Sequence, residues 1–415
     1  MGSYNGVPGK LTIGGSVVID ENRKTANNVE MNIRYATVAN MASNFTVSGD
    51  FTGRAGVYIA SRTIGQVIGS SDNASFTPDN FKLDYNKDFD IVVSGEDIVL
   101  ANIKYQCECG GKATDGMYGH TCEKVIYQPW TDTTTLPSSG NYYLTDNVTT
   151  TAQKAVTGTL RLDLNGFTIA HKVAAGASNT RVFSLTGSAH LAITDSSSNP
   201  GAVTRDLSNL TEEQAKAISN YGLLFLINNN AEVVLYNGTM DATGMYSGGG
   251  ACVCTYASDS TFKMYGGTLK GGISNYGGIL YNRGHAEFYG GTVTGGMTKD
   301  TSGKTGGIYV VTYNSVCGTV TVGGDVEIYD NKRSDGKQFN IRYSTEANLA
   351  EHFTITGDFT GRASFYVGSR AADKVVGISD NASFTSDNVY LDYYSDNNYD
   401  VAVSGSDIIL TANAT

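Results

Sequence analysis

Three cysteines and one histidine lie close together in the segment 102–130. Cys107, Cys109, His120 and Cys122 follow the pattern C-x-C-x10-H-x-C. Three thiolates and one imidazole make a complete tetrahedral donor set for zinc, and a short segment without a hydrophobic core of its own often needs such a cross-link. The sequence therefore predicts a structural zinc site, although zinc-binding segments usually separate paired ligands by two or more residues.

The same four residues fit two other states. In an oxidising extracellular setting, Cys122 would form a disulfide bond with Cys107 or Cys109 and leave one thiol unpaired. Alternatively, all three cysteines are unpaired structural residues. The role of the segment is structural in each case, because no residue near it indicates an open coordination position.

Three tyrosines recur at one position of a short repeated pattern. The copies that carry them are AEVVLYNGTM at 231–240, TFKMYGGTL at 261–269 and HAEFYGGTV at 285–293, and a fourth copy is GTVTVGG at 318–324. Alternation places Tyr236, Tyr265 and Tyr289 on the outward face, where exposed rings would stack on sugar rings or contact a partner protein. The alternative is that the three rings pack on one another and shield the sheet without a ligand.

A repeated short strand must position these side chains. Val233 and Leu235 alternate with Glu232 and Tyr236, and the later copies repeat this alternation. A five-residue strand with one apolar face can bury that face only by stacking on the next copy. The copies recur about every 24 to 33 residues, which is typical of the coils of a β-solenoid. A single helix is predicted at 210–222, and Trp130 is expected to cover the open end of the solenoid.

The two ends of the chain carry copies of one module. Residues 9–101 and 318–411 match at an offset near 308, as shown by NIRY at 32–35 and again at 340–343. Such an offset indicates tandem duplication. We predict that 1–105 is the last part of a preceding β-helix unit, that 106–130 is a Cys/His junction, and that 131–415 is a complete unit.

Composition limits the partners. The chain has 415 residues, 50 glycines and a formal net charge of −11. The acidic balance argues against a nucleic-acid partner, because phosphates require a basic face. The sequence has no apolar run that would span a membrane, and its start, MGSYNGVPGK, lacks the parts of a signal peptide. We therefore expect a fragment of a longer protein.

The repeats at 160–331 resemble the right-handed parallel β-helix of the pectin-lyase-like superfamily. The stretches CECGG at 107–111, WTDTTTLP at 130–137, NYYLTDNV at 141–148 and LDLNGFTI at 162–169 are similar to tandem units of large bacterial surface proteins. The resemblance implies an all-β fold, a right-handed parallel β-helix with a partial β-helix module duplicated at the N-terminus. It also implies an extracellular protein on the bacterial cell surface, a rigid stalk or adhesin that binds glycans or host proteins and adjoins neighbouring β-helix units.

An enzyme is the alternative hypothesis, because this superfamily also contains polysaccharide lyases and glycoside hydrolases. A lyase needs a base and groups that neutralise the uronate, and a hydrolase needs a pair of carboxyl groups at a defined gap. Asp241, Lys270 and Thr294 follow the glycine corners and form no acidic cluster. We therefore predict no catalytic residue and no cofactor beyond the structural zinc.

Overall fold

The computed structural model describes residues 3–4, 7–25, 29–76, 80–84, 89–102, 104–111, 113–176, 181–392 and 398–413. Strands predominate, helices are few, and the long sheets are mainly parallel, so the protein is all-β. The chain divides into two compact units, the first formed by 1–105 with 126–129 and the second by 106–125 with 130–415. None of the helices in the described part of the chain is long and apolar enough to cross a membrane.

The first unit contains twelve strands and one helix among the described residues. They are β1 Ser3–Tyr4, β2 Val7–Pro8, β3 Leu11–Gly15, β4 Val18–Ile19, β5 Arg23–Lys24, β6 Val29–Glu30, α1 Val38–Asn44, β7 Phe45–Phe51, β8 Arg54–Val57, β9 Val67–Ser75, β10 Phe81–Leu83, β11 Phe89–Ser94 and β12 Asp97–Asn102. Strands β3, β7 and β9 pair in parallel, and so do β4, β8 and β10. Buried aromatic and aliphatic side chains, including Phe45 and Phe81, form the core of this unit.

Two strands contain residues of both units, and the remaining elements belong to the second unit. The first two are β13 Lys104–Cys107 and β14 Lys124–Trp130. The others as far as residue 294 are β15 Gly140–Leu144, β16 Val148–Thr150, β17 Lys154–Val156, β18 Thr159–Asp163, β19 Ile169–Lys172, β20 Phe183–Leu185, β21 His190–Thr194, β22 Ala202–Asp206, α2 Glu212–Lys216, β23 Phe225–Ile227, β24 Glu232–Leu235, β25 Thr239–Tyr246, β26 Val253–Thr255, β27 Thr261–Met264, β28 Thr268–Ile273, β29 Leu280–Asn282, β30 His285–Phe288 and β31 Thr292–Thr294.

The C-terminal part of the second unit continues the series. Its elements are β32 Ile308–Val310, β33 Thr312–Tyr313, β34 Val316–Cys317, β35 Thr319–Gly323, β36 Glu327–Ile328, β37 Ile341–Tyr343, α3 Leu349–His352, β38 Phe353–Asp358, β39 Arg362–Phe365, β40 Val375–Ser383, β41 Val389–Leu391, β42 Tyr399–Ser404 and β43 Asp407–Ala412. Two short 3-10 helices lie at Met117–Gly119 and Glu346–Asn348.

The second unit is built from repeats of three strands. From β15 to β29, each strand pairs in parallel with the third strand after it. The hairpin β33–β34 adds two strands to the spacing between partners. The pattern then continues with β30–β35, β31–β36 and β32–β37. The result is three parallel ladders, an arrangement compatible with a β-solenoid.

Stacking of apolar side chains in register explains why these strands form. Val233 pairs with Phe262, Phe262 with Ala286, and Ala286 with Val320. All four lie in the buried core, as do their neighbours two residues later. The predicted apolar face is therefore confirmed. A fully buried Val, Leu or Phe contributes about 1.5–3 kcal/mol of transfer free energy, so each added repeat stabilises the last.

The pairing of strands also repeats between the two units. Thr46 pairs with Ser70 in the first unit, and the residues 308 positions later, Thr354 and Ile378, pair in the second. Strands β8 and β10 of the first unit correspond in the same way to β39 and β41. The sequence duplication is thus accompanied by a duplication of local structure.

The repeated Asn-Ile-Arg-Tyr motif supplies a buried polar contact in each unit. The backbone N and Nδ2 of Asn32 donate to the two carboxylate oxygens of Asp84 at 2.6 and 2.7 Å. Asn340 donates in the same way to Asp392 at 2.7 and 3.2 Å. Burial raises the pKa of Asp392 to about 6 and outweighs the hydrogen bonds that the carboxylate accepts, which lower it. Asn340 Oδ1 also accepts from Asn331, so one side chain joins three segments.

The helices differ in part from expectation. The helix predicted at 210–222 is α2, which covers only Glu212–Lys216 and is capped by the Thr211 hydroxyl. Helices α1 and α3 were not predicted, because each replaces a turn of the duplicated module and is at most seven residues long. Trp130 packs against the core of the second unit, next to Tyr142 at a ring-centroid distance of 5.1 Å.

We predict that Asn340→Ala lowers the free energy of unfolding of the second unit by about 2–4 kcal/mol, because it removes the acceptor of the buried backbone N–H of Asn331 and one of the donors to the buried Asp392 carboxylate. Urea denaturation followed by circular dichroism measures the change. Glu351→Ala, an exposed substitution in α3, is the control and is expected to have little effect. Equal destabilisation by both substitutions would contradict the prediction.

Candidate metal centre

The segment 106–125, here called the clasp, packs on the outward face of the second unit. It contributes Cys107, Cys109 and Ala113 to a small hydrophobic cluster whose other buried members project outward from the ladder. These other members are Ala192, Val234, Tyr236, Tyr265 and Tyr289. The clasp is therefore held by side chains of at least three successive repeats.

Glycine is required where the clasp comes closest to the ladder. Gly110 has a φ of 57°, and a Cβ atom at this position would lie 2.7 Å from Thr194 Oγ1. Thr194 Oγ1 also donates to the carbonyl oxygen of Cys109 at 3.3 Å. Because glycine has no Cβ atom, the backbone at Gly110 can come this close to Thr194, and Cys107 and Cys109 then lie over the sheet.

All four predicted metal ligands come together. The sulfur atoms of Cys107, Cys109 and Cys122 and a ring nitrogen of His120 lie within 4.8 Å of one another. Donor atoms around a tetrahedral zinc ion are separated by about 3.5–3.8 Å. Cys107 Sγ lies 3.3 Å from His120 Nε2. All six cysteines of the chain are free of disulfide bonds in the structure. The donor set and its compactness thus fit zinc.

Hydrogen bonds orient His120 as a neutral ligand. The Tyr236 hydroxyl donates to Glu108 Oε1 at 2.9 Å and lies 3.0 Å from His120 Nδ1. Because the hydroxyl has only one proton, its oxygen must accept a hydrogen bond from Nδ1–H of His120. The lone pair of the neutral imidazole is then on Nε2, which faces the cysteine sulfurs. This is the tautomer and the outer-shell contact that a metal-binding histidine needs.

The three predicted tyrosines face outward, but they are not exposed. Tyr236, Tyr265 and Tyr289 are only 2%, 7% and 7% exposed. The clasp covers them: Tyr118 stacks on Tyr289 at a centroid distance of 4.1 Å, and His120 lies 5.3 Å from Tyr236. The expectation of an exposed tyrosine surface was therefore wrong. The tyrosines form the floor on which the clasp packs.

A charged pocket of about 320 Å³ lies beside the clasp. Arg161 Nε donates to Glu108 Oε2 at 2.7 Å, and His190 lies between Glu108 and Glu232, at 3.5 and 2.9 Å. Lys263 Nζ completes the series at 3.2 Å from Glu232 Oε1. Cations and carboxylates thus alternate across the ladder, and the network also reaches the metal cluster through Tyr236.

Two carboxylates of the pocket, Glu108 and Glu232, favour the ionised form. Burial alone would raise the pKa of Glu108, but His190 and Arg161 outweigh it and lower this pKa to about 2. The pKa of Glu232 is lowered in the same way, against burial, by His190 and Lys263. Burial lowers the pKa of His190, but the two carboxylates raise it overall to about 9. Glu108 and Glu232 are therefore suited to holding fixed charges, and neither is a protonated carboxylic acid at neutral pH.

The charged residues of the pocket were not predicted from the sequence. His190 and Glu232 occupy the same register position of adjacent strands, which is a signal that could have paired them. Arg161 and Lys263 also face outward, but two strands separate them. Nothing in the sequence indicates that Glu108, in the clasp, lies between them.

Comparisons with protein-family models, with curated proteins and with solved structures found no significant match to this chain. The site must therefore be interpreted from its own geometry.

We predict that His190→Gln reduces stability near neutral pH, but not above the pKa of His190. Its folded-state pKa of about 9 exceeds the ordinary value of 6.5, so its contribution is complete below pH 6.5 and disappears as the pH rises through 9. The wild-type protein should therefore lose an advantage on the order of 2 kcal/mol over this range. Chemical denaturation of both proteins at several pH values measures the difference. A difference that does not change with pH would contradict the prediction.

Proposed function

We propose that the second unit is a right-handed parallel β-helix and that it serves as a rigid, non-catalytic module of an extracellular bacterial surface protein. The observation that carries the proposal is the register of its ladders, which continues through eight successive strands from β15 to β38 in the first ladder. Each inner strand is hydrogen-bonded on both sides, so bending the unit would break several bonds together. Such a unit suits a stalk or the body of an adhesin.

The proposal includes a structural zinc ion held by Cys107, Cys109, His120 and Cys122. Three observations support it: the donor atoms cluster, His120 presents Nε2 to the sulfurs, and the hydroxyl of Tyr236 holds the other ring nitrogen. Zinc bound there would supply a cross-link and folding free energy to a segment that has little core of its own. The four ligand residues would then hold the clasp against the tyrosine floor.

The position of the clasp in the chain fits a mechanical role. It lies between residue 105, which ends the main part of the first unit, and residue 130, where the second unit resumes. Tension along a chain of tandem units would pass through this segment. A metal cross-link at this position would keep the clasp from detaching under tension. It would thereby protect the first repeats of the second unit from unfolding.

The extracellular, surface-attached location rests on the resemblance to tandem bacterial surface proteins. A net charge of −11 is compatible with that location and argues against a nucleic-acid partner. In this proposal the partners are neighbouring β-helix units, and glycans or host proteins where the module acts as an adhesin.

A carbohydrate-active enzyme has weaker support. Asp163 and Asp195 lie in adjacent repeats, but both are buried and accept hydrogen bonds from backbone N–H groups, at Ser196 and Gly201 for example. They hold corners of the chain. In the charged pocket, Glu108 and Glu232 are both paired with cations, whereas glycoside hydrolysis needs one carboxyl group that remains protonated.

We predict that the purified, reduced chain contains about one zinc ion, as measured by elemental mass spectrometry. Cys107→Ser should lose the metal and lower the unfolding temperature by several degrees. Cys317→Ser, a substitution outside the cluster, is the matched control and should retain it. Metal-free native protein with Cys122 in a disulfide bond would instead establish the disulfide interpretation.

Stretching of single full-length chains from their ends tests the mechanical role. With zinc, we expect the clasp to unfold together with the repeats beneath it. After chelation, an additional event at low force should release the 20 residues of 106–125, or about 70 Å of chain. Identical unfolding patterns before and after chelation would refute the role of the clasp.

A further inference from the structure

One arginine lies in the interior of the second unit without a partner. Arg205, in β22, is only 5% exposed, and its Nε, Nη1 and Nη2 atoms are each shielded from solvent. Among the described residues, none forms a hydrogen bond or an ion pair with any of these three nitrogen atoms. A guanidinium group has five N–H donors, so the protein buries a positive charge with all of its donors unsatisfied.

The strand register places Arg205 in a row of polar residues inside an apolar interior. Val203, two residues earlier in β22, belongs to the buried core and pairs with Ile169. Side chains two residues apart on a strand point the same way, so Arg205 faces inward as well. It pairs with His171 of β19, which pairs with Thr150 of β16. Both of these polar neighbours are buried too, at 2% and 3% exposed.

Arg205 remains charged in spite of its burial. Burial lowers its pKa to about 10, which leaves the guanidinium protonated at neutral pH. Moving an unpaired charge from water into a protein interior is so costly that buried charges are normally paired. Four other arginines of this chain form ion pairs with carboxylates, namely Arg54, Arg161, Arg333 and Arg362. Arg205 therefore requires an anion that the described residues do not supply.

The neighbouring histidine adds a hydrogen-bond donor without a second charge. Burial, and then the charge of Arg205, lower the pKa of His171 to about 4, so its imidazole is neutral at neutral pH. Thr150 Oγ1 lies 3.1 Å from His171 Nδ1. A hydroxyl that donates to Nδ1 leaves the ring proton on Nε2, where it becomes a further donor for an anion. The net charge of the row is then that of Arg205, which one monovalent anion neutralises.

We propose that the interior of the second unit binds a small monovalent anion, chloride in physiological salt, which pairs with the guanidinium of Arg205. Burial of all three nitrogen atoms limits the size of the ligand, because a larger molecule would have to open the repeats to reach them. The guanidinium is itself weakly hydrated and suits an anion that gives up its water readily. Doubly charged phosphate or sulfate retains its water more strongly and fits less well.

The anion would act on the repeats at the start of the second unit. Strands β16, β19 and β22, which carry the polar row, are the second strands of its first three repeats. An ion that binds only the folded state stabilises that state by mass action, so the stability of these repeats depends on the anion concentration. This role goes beyond that of a rigid module with a zinc site, since neither the ladders nor the clasp requires an anion.

Thermal unfolding of the full chain in mixtures of sodium chloride and sodium gluconate tests the proposal. The ionic strength is held at about 0.15 M, so that screening does not change. We expect the unfolding temperature of the second unit to rise by about 2–4 °C for each tenfold increase in chloride above its Kd. Arg205→Met should abolish this dependence. In gluconate alone, this variant should unfold at a higher temperature than the wild type, because it buries no unpaired charge.

Arg333→Met is the matched control. Arg333 is already paired with Asp335, so this variant should keep the chloride dependence of the wild type. An unchanged unfolding temperature of the wild type across the mixtures, or an equal response in Arg205→Met, would overturn the proposal.

Crystals of the wild-type chain grown in sodium bromide provide a second test, which remains valid if Arg205→Met fails to fold. We expect an anomalous diffraction peak within hydrogen-bonding distance of the Arg205 guanidinium. Absence of this peak would refute the anion site. A peak in a protein whose unfolding temperature ignores chloride would show an adventitious ion only, and would also refute it.

Discussion

Parallel pairing in register is the constraint on which the rest of the second unit depends. Each short strand has one apolar face, and the side chain at each inward position rests on its counterpart in the preceding repeat, as Phe262 rests on Val233. A shift of one residue would turn every inward side chain outward. Because the register is so strongly specified, the outward side chains also form straight rows, and one of these rows supplies the tyrosines on which the clasp packs.

The outward rows differ in whether another segment of the chain covers them. One row carries Tyr236, Tyr265 and Tyr289 and is covered by the clasp, which leaves these rings buried. On another face, Tyr281 and Tyr309 follow each other in register, and the loops beside them expose Tyr256 and Tyr313. Similar aromatic rows therefore serve as an internal contact in one place and as an open surface in the other. What separates them is a segment of twenty residues from an earlier part of the chain.

How much could be predicted from the sequence depended on distance along the chain. The four metal ligands span only sixteen residues, so their spacing sufficed to propose the cluster. Alternation identified the inward faces, because period two is a local property. The burial of Tyr236 depends on His120, which is 116 residues away, and no local pattern reports such a contact. Arg205 occupies an inward position of its strand, where alternation predicts an apolar side chain, and no local pattern indicates that a charge is buried there.

The hairpin β33–β34 shows how such a protein can change. It lies between the third strand of one repeat and the first strand of the next, yet β30 and β35 still pair in register across it. Added residues thus extend sideways and leave the stacked core intact. A lineage can therefore alter its loops in length and chemistry at little cost to folding, so that new surface properties can arise while the interior of the molecule is conserved.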